Sequence, residues 1–161
     1  MSIWAALVGG FAGTLVLTTT LAAASHLRLT RMDLPFLLGT AFTEDRSRAR
    51  VIGYALHFVA GLAFALGYYA VFATLGRAGW ALGMLFGLVH ALFAGTALVN
   101  VLLPAVHPRM GTPDSAANSS PLLEAPGFMF LNYGRATPAV SLLAHLAYGA
   151  IVGLCIGGVS R

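Results

Sequence analysis

The chain has no lysine, a single cysteine and very little charge: of 161 residues, 9 are Lys or Arg and 5 are Asp or Glu, 9% in all. A water-soluble domain carries about 25% charged residues. With 58% hydrophobic residues and a mean hydropathy of +0.84, this chain is neither an ordinary soluble globule nor a disordered segment. One cysteine excludes an internal disulfide framework, and Cys155, set in an apolar run, reads as a small packing residue. The net charge of +4 is carried by arginines that flank apolar stretches. No basic patch is interleaved with aromatics, so nucleic acid is not an expected partner.

What the sequence has is long uncharged runs. A helix needs about 20 mainly apolar residues to cross roughly 30 Å of hydrocarbon. Four segments qualify, over residues 3–27, 51–75, 80–106 and 138–159. They predict an all-α integral membrane protein, a four-helix bundle in one membrane domain. The first segment lacks a basic residue before its apolar run and is too long for a signal core, so it reads as a span despite Ala22-Ala23-Ala24. Gly76-Arg77-Ala78-Gly79 makes the second and third spans a tight antiparallel hairpin.

Arginines set the expected orientation. Arg28, Arg31, Arg46, Arg48 and Arg50 lie in the first connection and Arg109 and Arg135 in the third, against Arg77 and Arg161 on the other side. The excess of positive charge belongs on the cytoplasmic side. Both termini are therefore expected outside, in a multi-pass protein of the bacterial inner membrane, with Trp4 and Trp80 in the outer aromatic belt.

The two halves, 3–75 and 80–159, align as a duplication. Each opens on Trp-Ala (Trp4-Ala5, Trp80-Ala81) and a GxxxG (Gly9/Gly13, Gly83/Gly87). A His then precedes Arg-Met: His26 with Arg31-Met32, His107 with Arg109-Met110. Acid-x-Pro follows, before a short apolar stretch: Asp33-Leu34-Pro35 and Glu124-Ala125-Pro126. Last comes His-x-x-x-Gly, His57/Gly61 and His145/Gly149. Both copies run the same way, which implies a pseudo-twofold axis along the membrane normal. The stretches after Pro35 and Pro126 are too short to span. They are expected at the interface, or dipping in to roof a chamber between the halves. The polar stretch 111–121 has no counterpart in the first half and reads as a loop; its Asn118-Ser119-Ser120 glycosylation pattern lies on the wrong side.

Polar groups inside a membrane are costly, so each is a candidate for function. His57 and His145 are expected at equal depth, about two turns in from the cytoplasmic face, with Asp33 and Glu124 arriving from the loops. Two imidazoles can ligate a b-type haem, and the four together can bind zinc, iron or manganese. The packing alternative is that each His donates to a neighbouring carbonyl or hydroxyl. His26 and His107 at the interface stand further out; His90 aligns with Val16 in the duplicated frame and carries no matched partner. Asp33 and Glu124 can equally cap the segments behind their prolines. Thr18, Thr19, Thr20 and Asn100 offer inter-helix hydrogen bonds worth about 0.6 kcal/mol each. Gly9, Gly13, Gly83, Gly87, Gly149, Gly153 and Gly157 form flat faces for close helix approach.

The stretches Arg31 to Pro35, Thr43 to Arg46 and His145 to Gly153 resemble small four-helix bacterial inner-membrane families of uncharacterised function. The resemblance implies the fold and the membrane and brings no activity. The residues then support a protein that binds a metal, haem or small ligand beside His57 and His145. The alternatives are an assembly subunit docking through its glycine faces, as a homodimer or in a larger complex, and a small transporter or proton relay. An enzyme has only these histidines and carboxylates to use, with no recognisable nucleophile.

Overall fold

The first three helices begin where the sequence supplies a side-chain cap. In the computed structural model, which describes residues 1–110 and 123–158, α1 runs Ile3–His26 behind Ser2, whose hydroxyl accepts from the Trp4 N–H at 3.2 Å. The short α2, Leu34–Gly39, starts at Asp33, whose carboxylate accepts from the Phe36 N–H at 3.1 Å, with Pro35 in the first turn where its missing N–H costs nothing. Asp45 caps α3, Arg46–Leu75, accepting from Arg48 N–H at 2.7 Å. The α3 helix starts at residue 46, so its charged first turn is helix ahead of the apolar run that begins at 51. It stops at Gly76, whose φ of +66° is the left-handed conformation that glycine adopts at helix ends.

The third span, α4 (Trp80–Val106), is a single long helix that changes winding. Trp80–Phe93 is α-helical, Ala94–Leu102 is a π-helix and Leu103–Val106 is α-helical again. Asn100 sits inside the π turn and donates its side-chain amide to Gly95 O at 2.9 Å and Thr96 O at 3.1 Å. A side chain feeding its own helix's carbonyls in this way is a recognised cause of local rewinding. Asn100 is thus not an inter-helix contact. Nor are Thr18 and Thr19, whose hydroxyls donate to Thr14 O and Leu15 O one turn back. After a 3-10 turn at Phe128–Tyr133, α5 runs Thr137–Gly158. The stretch expected as a loop at 111–121, with its Asn118 pattern, lies outside the described residues, as do Val159 and Arg161.

Four helices, α1, α3, α4 and α5, are long and apolar enough to cross a membrane. Among the described residues the only extended pairing is an isolated bridge between Met110 and Leu123. Helix α5 packs between α1 and α4, and α1 also packs on α3. Glycines set two of these distances. A Cβ at Gly9 or Gly13 would press on Cys155 or Tyr148 of α5, and one at Gly83 or Gly87 would strike the α5 backbone at Gly149 or His145. Gly153 and Gly157 meet the turn at Ala78-Gly79 in the same manner. The α3–α4 pair is built oppositely, from rings. Phe72 meets Phe86 at a centroid distance of 5.1 Å, Tyr68 meets Phe86 at 5.4 Å and Phe64 meets Phe93 at 6.3 Å. Bulky spacers on one side and glycines on the other leave space inside the bundle.

Candidate functional site

That space is a cavity of about 450 Å³, within the size range of small-molecule sites. All four long helices reach it: Thr14 and Leu17 from α1, Leu56 to Phe64 from α3, His90 to Val106 from α4, and His145 and Tyr148 from α5. The two short segments close one end. Leu34 and Leu38 of α2 with Ala41 and Phe42 behind it, and Phe130 of the 3-10 turn, all line the wall. Among the described residues no Asp, Glu, Lys or Arg does. The polar lining is three imidazoles, the Tyr148 phenol and the Thr14 hydroxyl.

His57, His90 and His145 therefore share one cavity. His90 and His145 touch edge to face with ring centroids 4.8 Å apart. His90 also stacks on Phe64 at 3.7 Å and lies 5.6 Å from the Tyr148 ring. Its Nδ1 is 3.4 Å from the Tyr68 hydroxyl. Either group can donate there, so His90 offers its Nε2 as donor or acceptor. His145 is more constrained. Its Nδ1 lies 2.8 Å from Ser141 O, which only accepts, so Nδ1 carries the proton and Nε2 is a lone-pair acceptor. The Tyr148 hydroxyl donates to Gly61 O at 2.5 Å, and Thr14 donates to Gly10 O at 2.7 Å. His57 differs from all of these: its buried Nε2 has no hydrogen-bond partner among the described residues.

The end segments are held by reciprocal clamps. Arg31, after α1, donates to Asn132 O at 2.5 Å and to Glu124 at 3.3 Å, while its own N–H bonds Tyr133 O at 2.7 Å. Arg109, after α4, donates to Thr40 O at the end of α2 and to Glu44 at 3.2 Å. Each half's arginine thus fastens the other half's end segment. His107 reinforces the second clamp. It is buried, accepts the Arg109 N–H at its Nδ1 (3.1 Å) and directs Nε2 at Leu37 O, 3.0 Å away. Accepting at Nδ1 fixes the proton on Nε2, so the ring is a fully used structural link. Below these clamps Tyr133 donates to Glu124 O at 2.8 Å. Burial first, and then the Glu124 charge against the opposing Arg31, pushes its hydroxyl up to about 12.

The expected four-ligand metal set is not assembled. Asp33 caps α2 and takes Arg50 at 3.0 Å, Glu124 takes Arg31, and neither lines the cavity. Among the described residues no group of three or more His, Cys, Asp and Glu is placed to hold a metal ion. The carboxylates fail as ligands because each stands beside an arginine at the bundle's end. His26 is exposed and lines a separate cavity of about 280 Å³, with Asp33, Arg50 and Tyr54. Asn100 serves the π turn. His90 is what pairing the halves undervalues, since Val16 offers it no match. A helical signal was present: His90 lies three and seven residues after Gly87 and Gly83, on the stripe that faces α5.

Comparison with protein-family models, with curated proteins and with solved structures finds no match.

Proposed function

We propose that the chain is a multi-pass protein of the bacterial inner membrane that holds a small, uncharged, largely apolar ligand in the cavity of His57, His90 and His145. The supporting observation is that cavity: about 450 Å³, walled by apolar side chains, with no charged group among the described residues, yet holding three imidazoles. Sites for small lipophilic molecules combine an apolar wall with a few placed polar groups.

In this reading the end carrying Arg31, Arg46, Arg48, Arg50 and Arg109 is cytoplasmic, and both termini are outside. Trp4 and Trp80, 73% and 57% exposed, would sit in the outer belt. Residues 3–75 and 80–159 would be duplicated halves, which the reciprocal Arg31 and Arg109 clamps favour, and α2 and the 3-10 turn would be end caps at the cytoplasmic interface. Docking onto a larger complex through glycine faces is less well supported, since all seven of those glycines meet neighbours within the chain.

The test is solvent extraction of untagged, detergent-purified protein followed by mass spectrometry, with elemental analysis on the same sample. An organic molecule near one per chain, lost on filling the cavity with Leu98→Trp or Ala94→Phe, supports the reading. Extracts matching empty micelles would refute it. Stoichiometric metal lost in His57→Ala/His145→Ala would return a metal or haem site in its place.

A further inference from the structure

The wall of the cavity is uneven in a way that defines its ligand. Of its polar groups, His90 and His145 meet in the bundle, where the rings also touch Phe64 and Tyr148, while His57 stands one turn before Ala60 on α3. Its other limit is apolar and exposed: Val106 of α4 is 78% exposed and Phe42, just after α2, 67%. Both line the same cavity, as does the exposed Ala60 of α3. In the orientation proposed above, Ala60 would face hydrocarbon while Val106 and Phe42 lie at the cytoplasmic boundary of the bilayer, so the cavity would open sideways past apolar side chains at that boundary. A head group inside would meet flat rings, an acceptor at Nε2 of His145 and a second imidazole nitrogen at Nε2 of His90. Whatever is attached to that head can leave only past apolar side chains.

We infer that the ligand is a tailed amphiphile: a flat, uncharged ring bearing carbonyl or hydroxyl oxygens, seated against His90 and His145, with an aliphatic tail that leaves between Val106, Phe42 and Ala60. This rests on the ligand-cavity reading above and adds the chemistry of the head and the route of the tail. A charged head is disfavoured because nothing in the lining would compensate it and burying an unpaired charge is costly. A plain hydrocarbon would leave the imidazole nitrogens unanswered.

The probes are decylubiquinone and the same quinone ring without its tail, titrated into the full chain in dodecyl maltoside micelles by calorimetry, at equal mole fraction in the micelle. Val106→Trp narrows the opening at an exposed position, and Ala60→Trp does so from α3 should the first variant misfold. The expected result is a loss of about ten-fold or more in affinity for the tailed probe in either variant, with the tailless probe changed by less than about two-fold. Equal effects on both probes, or none on either, would overturn the tail route while leaving the cavity as a ligand site. If neither probe binds the unaltered chain, but extraction yields another molecule, the quinone-like head is wrong and the cavity reading survives. If neither binds and extraction yields nothing, both readings fall.

Discussion

His90 and His145 meet edge to face, with ring centroids 4.8 Å apart and planes at 78°, across the glycine-lined contact of α4 and α5. The contact exists because Gly87 lets the α5 backbone approach at His145 itself: a Cβ at Gly87 would strike His145 O. The same close approach that packs the bundle therefore puts two imidazoles side by side on the cavity. Packing and site have one cause here, and this makes the glycines the first place to test the account.

Gly83→Ala should destabilise the bundle, since its Cβ would collide with the Gly149 backbone, which has no flexible end to give way. Overpacking of this kind costs about 1–3 kcal/mol. Gly67→Ala, with nothing within 4 Å of its Cβ, should leave stability unchanged or slightly raised. Thermal unfolding read by maleimide labelling of the single Cys155, which is partly buried against Gly9, measures both. Equal midpoints for the two variants would contradict the packing.

His107→Ala should cost about 1–3 kcal/mol, because it leaves the Arg109 N–H without its acceptor and Leu37 O with the Thr40 hydroxyl alone. His26→Ala, at an exposed position, should fall within about 0.5 kcal/mol of the parent. The same labelling assay ranks them. The reverse order would mean that the α2 clamp is not what His107 does.

Alkali should loosen the end segment through Tyr133. Its hydroxyl is raised to about 12, so the folded state keeps a proton that the unfolded chain releases near pH 10. The stabilising contribution is complete below pH 10 and fades as pH rises toward 12. Difference titration of tyrosinate absorbance between the parent and Tyr133→Phe should place this group's midpoint near 12. A midpoint at 10 would show that the Glu124 contact and the burial are absent in solution.

Orientation is checked with single cysteines on a Cys155→Ala background. Arg77→Cys, in the α3–α4 turn, should react with an impermeant maleimide in intact spheroplasts. Ser47→Cys, in the first turn of α3, should react only after permeabilisation. The opposite pattern would invert the assignment of both termini.

Much of the fold was legible because long apolar helices are read from length and apolarity alone, and the cap at Asp33 follows from local hydrogen bonding. The two short segments were legible as candidates to roof a chamber, but acid-x-Pro starts a helical turn only at Asp33; at Glu124 the expected cap is not formed, and the 3-10 turn begins behind Gly127 without a side-chain cap. Two things were not. Asp33 and Glu124 looked like metal ligands because sequence shows carboxylates near histidines, while their arginine partners come from other segments: Arg50 lies 17 residues away and Arg31 93 residues away. The π turn of α4 was hidden as well, because nothing in a run such as Ala94–Leu102 signals that Asn100 will bond its own helix. That rewinding affects which α4 side chains reach the cavity, so the lining beyond His90 could not be read from a 3.6-residue period.

The most direct test of the shared cavity is the magnetic resonance of the 5 histidine rings in isotope-labelled full-length protein, each assigned by substitution, as decylubiquinone is added. The account predicts that the ring signals of His57, His90 and His145 shift together and saturate, while those of His26 and His107 stay in place. Shifts confined to His26 and His107, or spread evenly over all five, would contradict it.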